Sequence, residues 1–300
     1  MRHLALVGPT AAGKSAVAME VARALGDVEI VAVDSMQVYR GMDIGTAKPG
    51  PSARREVPHH LLDLADPDEP WDVAAFTRAF ASVRAGIEAR GHRALLVGGT
   101  GLYFQVAVDG LEVPPRFPEV RARLDADPDT AGMHQRLGAL DPLAATRMEP
   151  TNRRRVVRAL EVTVGSGRPF SSFGPGLRAF PPTPWRLAAL WLPRPVVAAR
   201  IARRFADMLA AGLVDETRRL AARPGLSRTA RQALGYREVL AHLEDGVDLD
   251  VAADLAVRRT RAFARRQRMW WRRDPRLQWY GAAENPLAVV PALLGDWRRP

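Results

Sequence analysis

Four-residue apolar runs at Leu4–Val7, Ile30–Val33 and Ala94–Val97 alternate with stretches of helical period at about 15–25 and 72–90. Short runs that are apolar on both faces predict strands buried in a parallel sheet, and the helices between them predict its crossovers. A fourth run, Arg186–Leu192, is expected to rejoin that sheet. Between the third and fourth runs stand two loop-rich junctions, Leu111–Pro118 with three prolines and Gly165–Pro184, dense in Gly, Pro and Ser. They bracket a segment, about 119–164, whose pattern is helical throughout. The expected organisation is a core formed by 1–115 and 183–300, interrupted by a small all-α insert domain at 116–182. Beyond the fourth strand the pattern stays helical to nearly residue 273, with breaks at Gly212, at Pro224-Gly225 and near Gly246.

The junction behind the first strand carries a specific chemistry. Residues 8–15 read GPTAAGKS and lead into a helix closed by Gly26. Gly8 and Gly13 permit the backbone angles that turn successive amides inward around an anion, with Pro9, Thr10, Ala11 and Ala12 between them. Lys14 is placed to reach the outer phosphate, and the Ser15 hydroxyl to hold Mg²⁺. The positive end of the helix points at the same phosphates. Lysine usage supports this reading. The chain holds 44 Lys+Arg, yet lysine occurs only at Lys14 and Lys48. A compact ammonium serves such a loop where a planar guanidinium does badly. A glycine turn that binds nothing would need neither that lysine nor this order of strand, loop and helix. The fold class expected is α/β: a P-loop NTPase-like parallel sheet with crossover helices, an inserted small all-α domain and a helical C-terminal region.

Composition narrows the classes. There is no cysteine, which excludes a disulfide framework, a zinc finger and a thiol nucleophile. No apolar run approaches the roughly 18 residues of a membrane span, so a cytoplasmic protein with no membrane partner is expected. Charge is divided: 11 basic and 13 acidic residues in 1–110 give net −2, while 33 basic and 20 acidic in the remainder give net +13. A near-neutral phosphate-loop half followed by a strongly basic one points to a small phosphorylated ligand and a polyanion, nucleic acid first.

Further candidates lie at the other strand ends, where ligands gather in such sheets. Asp34 closes the second run and has three possible roles: a Mg²⁺ ligand through water, a general base, or a helix N-cap. Gln37 has the amide geometry to read a nucleobase edge. The third run ends in Gly98-Gly99-Thr100-Gly101, which permits close backbone approach to a ligand and lacks the acid a hydrolysing NTPase would carry there. No Asn-Lys-x-Asp guanine motif exists, asparagine occurring only at Asn152 and Asn285. Arginine clusters twice. One cluster is Asn152-Arg153-Arg154-Arg155-Val156-Val157-Arg158, which opens a helix. The other is Arg258–Arg276, where Arg258, Arg261, Arg265, Arg268 and Arg272 form a helical stripe beside Trp270, Trp271 and Trp279. The adjacent His59 and His60 diverge on any regular element and read as structural.

Taken in order, GPTAAGKS (8–15), DSMQVYRGMDIGTAKP (34–49), PHHLLD (58–63), LLVGGTGLYF (95–104), NRRRVVRALEV (152–162), ALGYRE (233–238) and TRAFARRQRMWW (260–271) resemble the tRNA dimethylallyltransferases, in their short bacterial form without a zinc-finger tail. The resemblance implies transfer of a dimethylallyl group from dimethylallyl diphosphate to N6 of the adenosine just 3′ of the anticodon, in tRNAs reading codons that begin with U. It further implies Mg²⁺, a tRNA anticodon stem-loop as partner, and diphosphate as leaving group. By the same resemblance Asp34 is the base that takes the N6 proton, Thr100 positions the reacting centre and Lys14 holds the diphosphate. Asp34, Ser35, Met36, Gln37 and Thr100 meet the target base. Arg121, Arg154, Arg155, Val156, Val157, Arg158, Gln232, Gly235, Tyr236 and Arg237 meet tRNA. Met36 and Ala262 depart from residues common in the family, Arg and Gln respectively. A monomer is the default. Two rival readings stand beside this one: a phosphate-loop kinase, which would bind ATP and leave the basic half unexplained, and a non-catalytic RNA-binding protein, in which Asp34 would be inert. Lys48 is expected to contact phosphate or RNA.

Overall fold

The computed structural model describes residues 2–222 and 225–298, and the expected break at Pro224 lies outside them. The chain divides into two compact units, Met1–Val108 with Pro182–Pro300, and Asp109–Pro181.

In the larger unit the described residues form one six-stranded sheet: β1 (Leu4–Val7), β2 (Val28–Val33), β3 (His59–His60), β4 (Arg93–Gly98), β5 (Arg186–Trp191) and β6 (Gln278–Gly281). The order is β3-β2-β4-β1-β5-β6, and every pairing is parallel. In register, Val7 of β1 lies beside Gly98 of β4 on one side and Ala189 of β5 on the other, so β1 and β4 end at one level while β5 runs on to Trp191. All four residues of β1 are buried, and its side chains alternate between two layers. Leu4 and Leu6 pack with Val17, Val21 and Leu293 on one face, while Ala5 and Val7 pack with Phe76, Phe80 and Phe104 on the other. That double coverage is why the strands read as unbroken apolar runs rather than alternating ones.

Strands β3 and β6 carry no such run. The first is two histidines and the second is largely exposed, as suits short strands at the two edges of a sheet. Past β5 come helices Arg194–Ala210, Leu213–Ala221, Tyr236–Asp245 and Leu249–Trp271, broken by glycines in the left-handed region at Gly212 and Gly246.

The smaller unit packs helices Pro118–Ala126, Thr130–Leu140, Pro142–Thr146 and Arg153–Ser166 around Leu124, Met133, Leu137, Val156, Val157 and Leu160. Asp129, Asp141 and Asn152 cap three of these helices. Gly165 lies so close to Phe117 that a Cβ there would sit 2.1 Å from the ring.

Candidate functional site

The loop after β1 is built for an anion. Gly8, Ala11 and Gly13 all have positive φ, and Gly13 in the left-handed region opens the helix Lys14–Leu25. Ala11 bears a Cβ in that region, a local strain of the kind held by surrounding contacts at ligand clamps. Here those contacts are visible. From the helix Arg194–Ala210, Arg200 Nε donates to Ala11 O at 2.8 Å, and Arg204 Nη2 donates to Thr10 Oγ1 at 2.8 Å. Lys14 Nζ donates to Pro9 O at 2.8 Å. Burial, then the neighbouring Arg204 charge, push the Lys14 ammonium down to about 8, with Asp34 acting in the opposite sense. Burial likewise lowers Arg204, against the pull of Asp34. Three cations thus crowd one loop, an arrangement that a bound polyanion relieves.

Asp34 follows β2 at the level of that loop. Its Oδ1 accepts from Met36 N at 2.8 Å and Gln37 N at 3.3 Å, closing a turn. No helix begins here, so the N-cap reading is corrected to an Asx turn. Its other oxygen, Oδ2, has no hydrogen bond among the described residues and faces a field set by Lys14 and Arg204. Thr100 completes the third strand end: its N–H donates to Val33 O at 3.3 Å, bringing it against the residue before Asp34. Lys14, Asp34 and Thr100 therefore stand on three neighbouring strand ends.

The segment from Ser35 to Lys48 is held rigidly. Gln37 Nε2 donates to Thr46 O at 3.1 Å and Ala47 O at 3.4 Å, which fixes the plane of its amide. Buried Glu216 accepts from the N–H groups of Asp43, Ile44 and Gly45 and from the Tyr236 hydroxyl, the last at 2.5 Å. Burial and that carboxylate raise the Tyr236 pKa. Lys48 corrects the expectation of a phosphate or RNA contact. Its side chain is 1% exposed and donates to Tyr39 O, Asp43 Oδ1 and Asp63 Oδ1 at 2.7, 2.6 and 2.7 Å. All three ammonium hydrogens are used inside the protein.

Other expected tRNA contacts fall into two groups. Arg154, Arg155, Gln232 and Arg237 are exposed; Arg121 and Arg158 are half-buried and both engage Glu161. By contrast Val156 and Val157 are fully buried in the core of the smaller unit, Tyr236 is 1% exposed, and Gly235 is buried at the start of its helix. The side chains of these residues are closed to RNA and serve packing and loop support. Trp271 is likewise a core residue, edge-on to Phe104 at 5.2 Å, rather than part of the arginine stripe. Arg258, Arg261, Arg265 and Arg268 of that stripe do share a cavity of about 460 Å³ with Pro9, Trp191 and Arg194. His60 bonds Glu29 at 2.6 Å and His59 bonds Val57 O at 2.7 Å.

Sequence reasoning missed Arg200, Arg204, Glu216 and Gln267. The first two had a readable signal, two arginines four apart on the helix leaving a strand of the phosphate-loop sheet. Glu216 and Gln267 had none, because the backbone groups they hold lie about 170 residues away or more.

The sequence profile of the IPP transferase family matches residues 37–274, and that of isopentenyl transferase matches residues 1–60. The chain belongs to the IPP transferase family. A tRNA dimethylallyltransferase of Moorella thermoacetica is 45% identical over 98% of this chain and 94% of its own length. One of Streptomyces avermitilis is 47% identical over 97% and 94%. The crystal structure of the full-length tRNA isopentenylpyrophosphate transferase of Bacillus halodurans superposes with a TM-score of 0.71 at 33% identity, covering 99% of this chain and 95% of that one. In this chain β4 ends in glycines instead of the acid a hydrolysing NTPase would carry there.

Proposed function

We propose that this protein transfers a dimethylallyl group from dimethylallyl diphosphate to N6 of the adenosine 3′-adjacent to the anticodon of tRNAs reading codons that begin with U. The observation that carries the reading is the junction of a three-cation phosphate loop after β1 with the free oxygen of Asp34 at the end of β2, the next strand but one. In the reaction the N6 lone pair forms a bond to C1 of the dimethylallyl group as the C1–O bond breaks. The bonding electrons leave with diphosphate, and the N6 proton passes to Asp34 Oδ2. An exocyclic amine is a weak nucleophile, so holding it in line with C1 supplies much of the acceleration, roughly 7–11 kcal/mol where alignment is good. Lys14, Arg200, Arg204 and the loop amides take up the charge developing on the leaving group.

A metal fits this donor set. The Ser15 hydroxyl on the first helical turn is a hard oxygen ligand, as suits an ion that otherwise keeps water and phosphate oxygens, and Asp34 Oδ2 stays free for the proton. Mg²⁺ bound there would neutralise diphosphate oxygens. Ser35, Met36 and Gln37 are the proposed contacts to the flipped adenine, whose extrusion costs about a few kcal/mol, less in a loop already splayed. Exposed Arg154, Arg155, Gln232 and Arg237 are the proposed contacts to the anticodon stem-loop, as are half-buried Arg121 and Arg158, and the cytoplasm is the proposed compartment.

The test is label transfer from radiolabelled dimethylallyl diphosphate to unmodified tRNA, with a parallel reaction on labelled ATP. Label recovered as N6-modified adenosine and lost in Lys14→Ala is the expected result. Phosphate moving from ATP to an acceptor instead would favour a kinase. Binding of tRNA with neither transfer would leave an RNA-binding protein.

A further inference from the structure

Gln267 lies on the helix Leu249–Trp271, far in sequence from both the phosphate loop and the Gly98–Gly101 turn, yet it is bonded to each. Its Oε1 accepts from Thr10 N at 2.8 Å, and its Nε2 donates to Gly99 O at 2.9 Å. The side chain is 7% exposed, so each bond is made away from competing water. A carboxamide is a neutral group that can accept on one side and donate on the other in a single plane.

The turn is shaped to receive it. A Cβ on Gly99 would sit 2.1 Å from Gln267 Nε2, and one on Gly101 would sit 2.2 Å from Trp270 Nε1. Gly99 has no φ in the left-handed region, so it is glycine for space rather than for backbone freedom. The next residue, Thr100, donates its N–H to Val33 O, and Asp34 follows. On the other side Thr10 is gripped twice, by Gln267 at its N–H and by Arg204 at its hydroxyl. One amide therefore joins the loop proposed to hold the donor's diphosphate to the turn beside the proposed base.

We propose that Gln267 is a positioning residue that sets the distance between the phosphate loop and the Asp34–Thr100 edge, and hence between C1 of the donor and N6 of the acceptor. The proposal rests on the prenyl-transfer reading above. Gln267 touches neither substrate; it acts through Thr10 and Gly99. Its loss should therefore spoil alignment while leaving each substrate's own contacts in place, which separates it from a residue that binds either substrate.

A double-mutant cycle tests this. Transfer from dimethylallyl diphosphate to tRNA is measured for wild type, Gln267→Met, Gly99→Ala and the double variant. Pyrophosphate and tRNA affinities are measured by calorimetry, and thermal transitions are recorded for all four. Each single change should lower kcat by about 100-fold, the scale of a misplacement of about 1 Å. Both dissociation constants should move by less than about threefold. Because Gly99→Ala acts by expelling the Gln267 amide, the double variant should be no slower than the slower single by more than about threefold. Losses that multiply to about 10,000-fold would overturn the proposal, as would a Gln267→Met kcat within about threefold of wild type, or binding that falls in step with rate. If Gln267→Met shows no cooperative transition, Gly99→Ala alone carries the test, with kcat about 100-fold lower at unchanged affinities expected and a kcat within about threefold of wild type overturning the proposal. A wild-type protein that transfers no label would defeat the prenyl-transfer reading itself and is recognised in the same assay.

Discussion

Replacing Lys14 by methionine should make the ligand-free protein more stable while removing its affinity for diphosphate. The ammonium is moved from 10.5 to about 8 by burial and by Arg204, which at 1.36 kcal/mol per decade of equilibrium constant amounts to a cost of about 3 kcal/mol. Methionine fills nearly the same volume but forfeits the bond to Pro9 O, about 1 kcal/mol. The net gain expected at pH 7 is about 2 kcal/mol. The sign follows from linkage: the unfolded chain holds this proton more firmly than the folded one, so the cost is full below pH 8. It fades as pH rises from about 8 to 10.5 and is absent above. Urea unfolding of both proteins at pH 7 and near pH 10.5 reads the effect, with the methionine advantage present at the first and gone at the second. Pyrophosphate at about 100 times its dissociation constant should then stabilise wild type by about 2.7 kcal/mol and the variant by nothing. A variant less stable than wild type at pH 7, or a difference indifferent to pH, would refute the claim that this loop stores charge repulsion for an anion to relieve.

Asp34→Asn should keep the turn to Met36 and Gln37, because the amide oxygen still accepts, and should lower kcat by about 100- to 10,000-fold with tRNA affinity unchanged; single-turnover label transfer and filter binding check both halves. Lys48→Met should destabilise by about 2 kcal/mol by leaving Tyr39 O without its donor and removing the cation between Asp43 and Asp63, read by chemical denaturation. Glu29 is held down to about 2, first by its hydrogen bonds to Arg90 and then by those from His60 and His92. The stability it lends is full above about pH 4.5 and is lost as pH falls toward 2, so Glu29→Gln should flatten the acid limb of the stability curve in that window.

Those three predictions differ in how far they were legible in the chain. Asp34 was readable because strand, loop and position in a parallel sheet together say where a carboxylate points. Lys48 was readable only as an oddity, one of two lysines among 44 basic residues. Its rarity correctly marked a site where ammonium and guanidinium are not interchangeable, but the reason is interior: three acceptors converge on one nitrogen with no room for a fork. The same ambiguity misled the reading of Val156, Val157 and Tyr236. A motif string fixes which residues go together without saying which of them point outward. Strands β3 and β6 were invisible for a different cause, since edge strands of two and four residues are too short to show a periodicity and borrow their conformation from their neighbours.

The arginines show why charge counts alone do not locate a site. Net charge divides the chain correctly into a phosphate-loop half and a basic half, yet Arg200 and Arg204, which finish the phosphate loop, come from the basic half. Nucleic acid does not account for them, because Arg204 is largely withdrawn from water and bonded to Thr10. A guanidinium placed there carries a desolvation cost that Asp34 offsets in part and a small anion seated on the loop would offset further. Part of the excess of +13 in residues 111–300 thus belongs to the donor site, and the remainder is what is left for RNA. The two shares are separable by salt. Arg204→Gln should raise the donor KM and leave the salt slope of tRNA binding unchanged, whereas Arg154→Gln with Arg155→Gln should lower that slope by about one to two and leave the donor KM alone. A salt slope that falls in Arg204→Gln would return Arg204 to the RNA surface and undo this division.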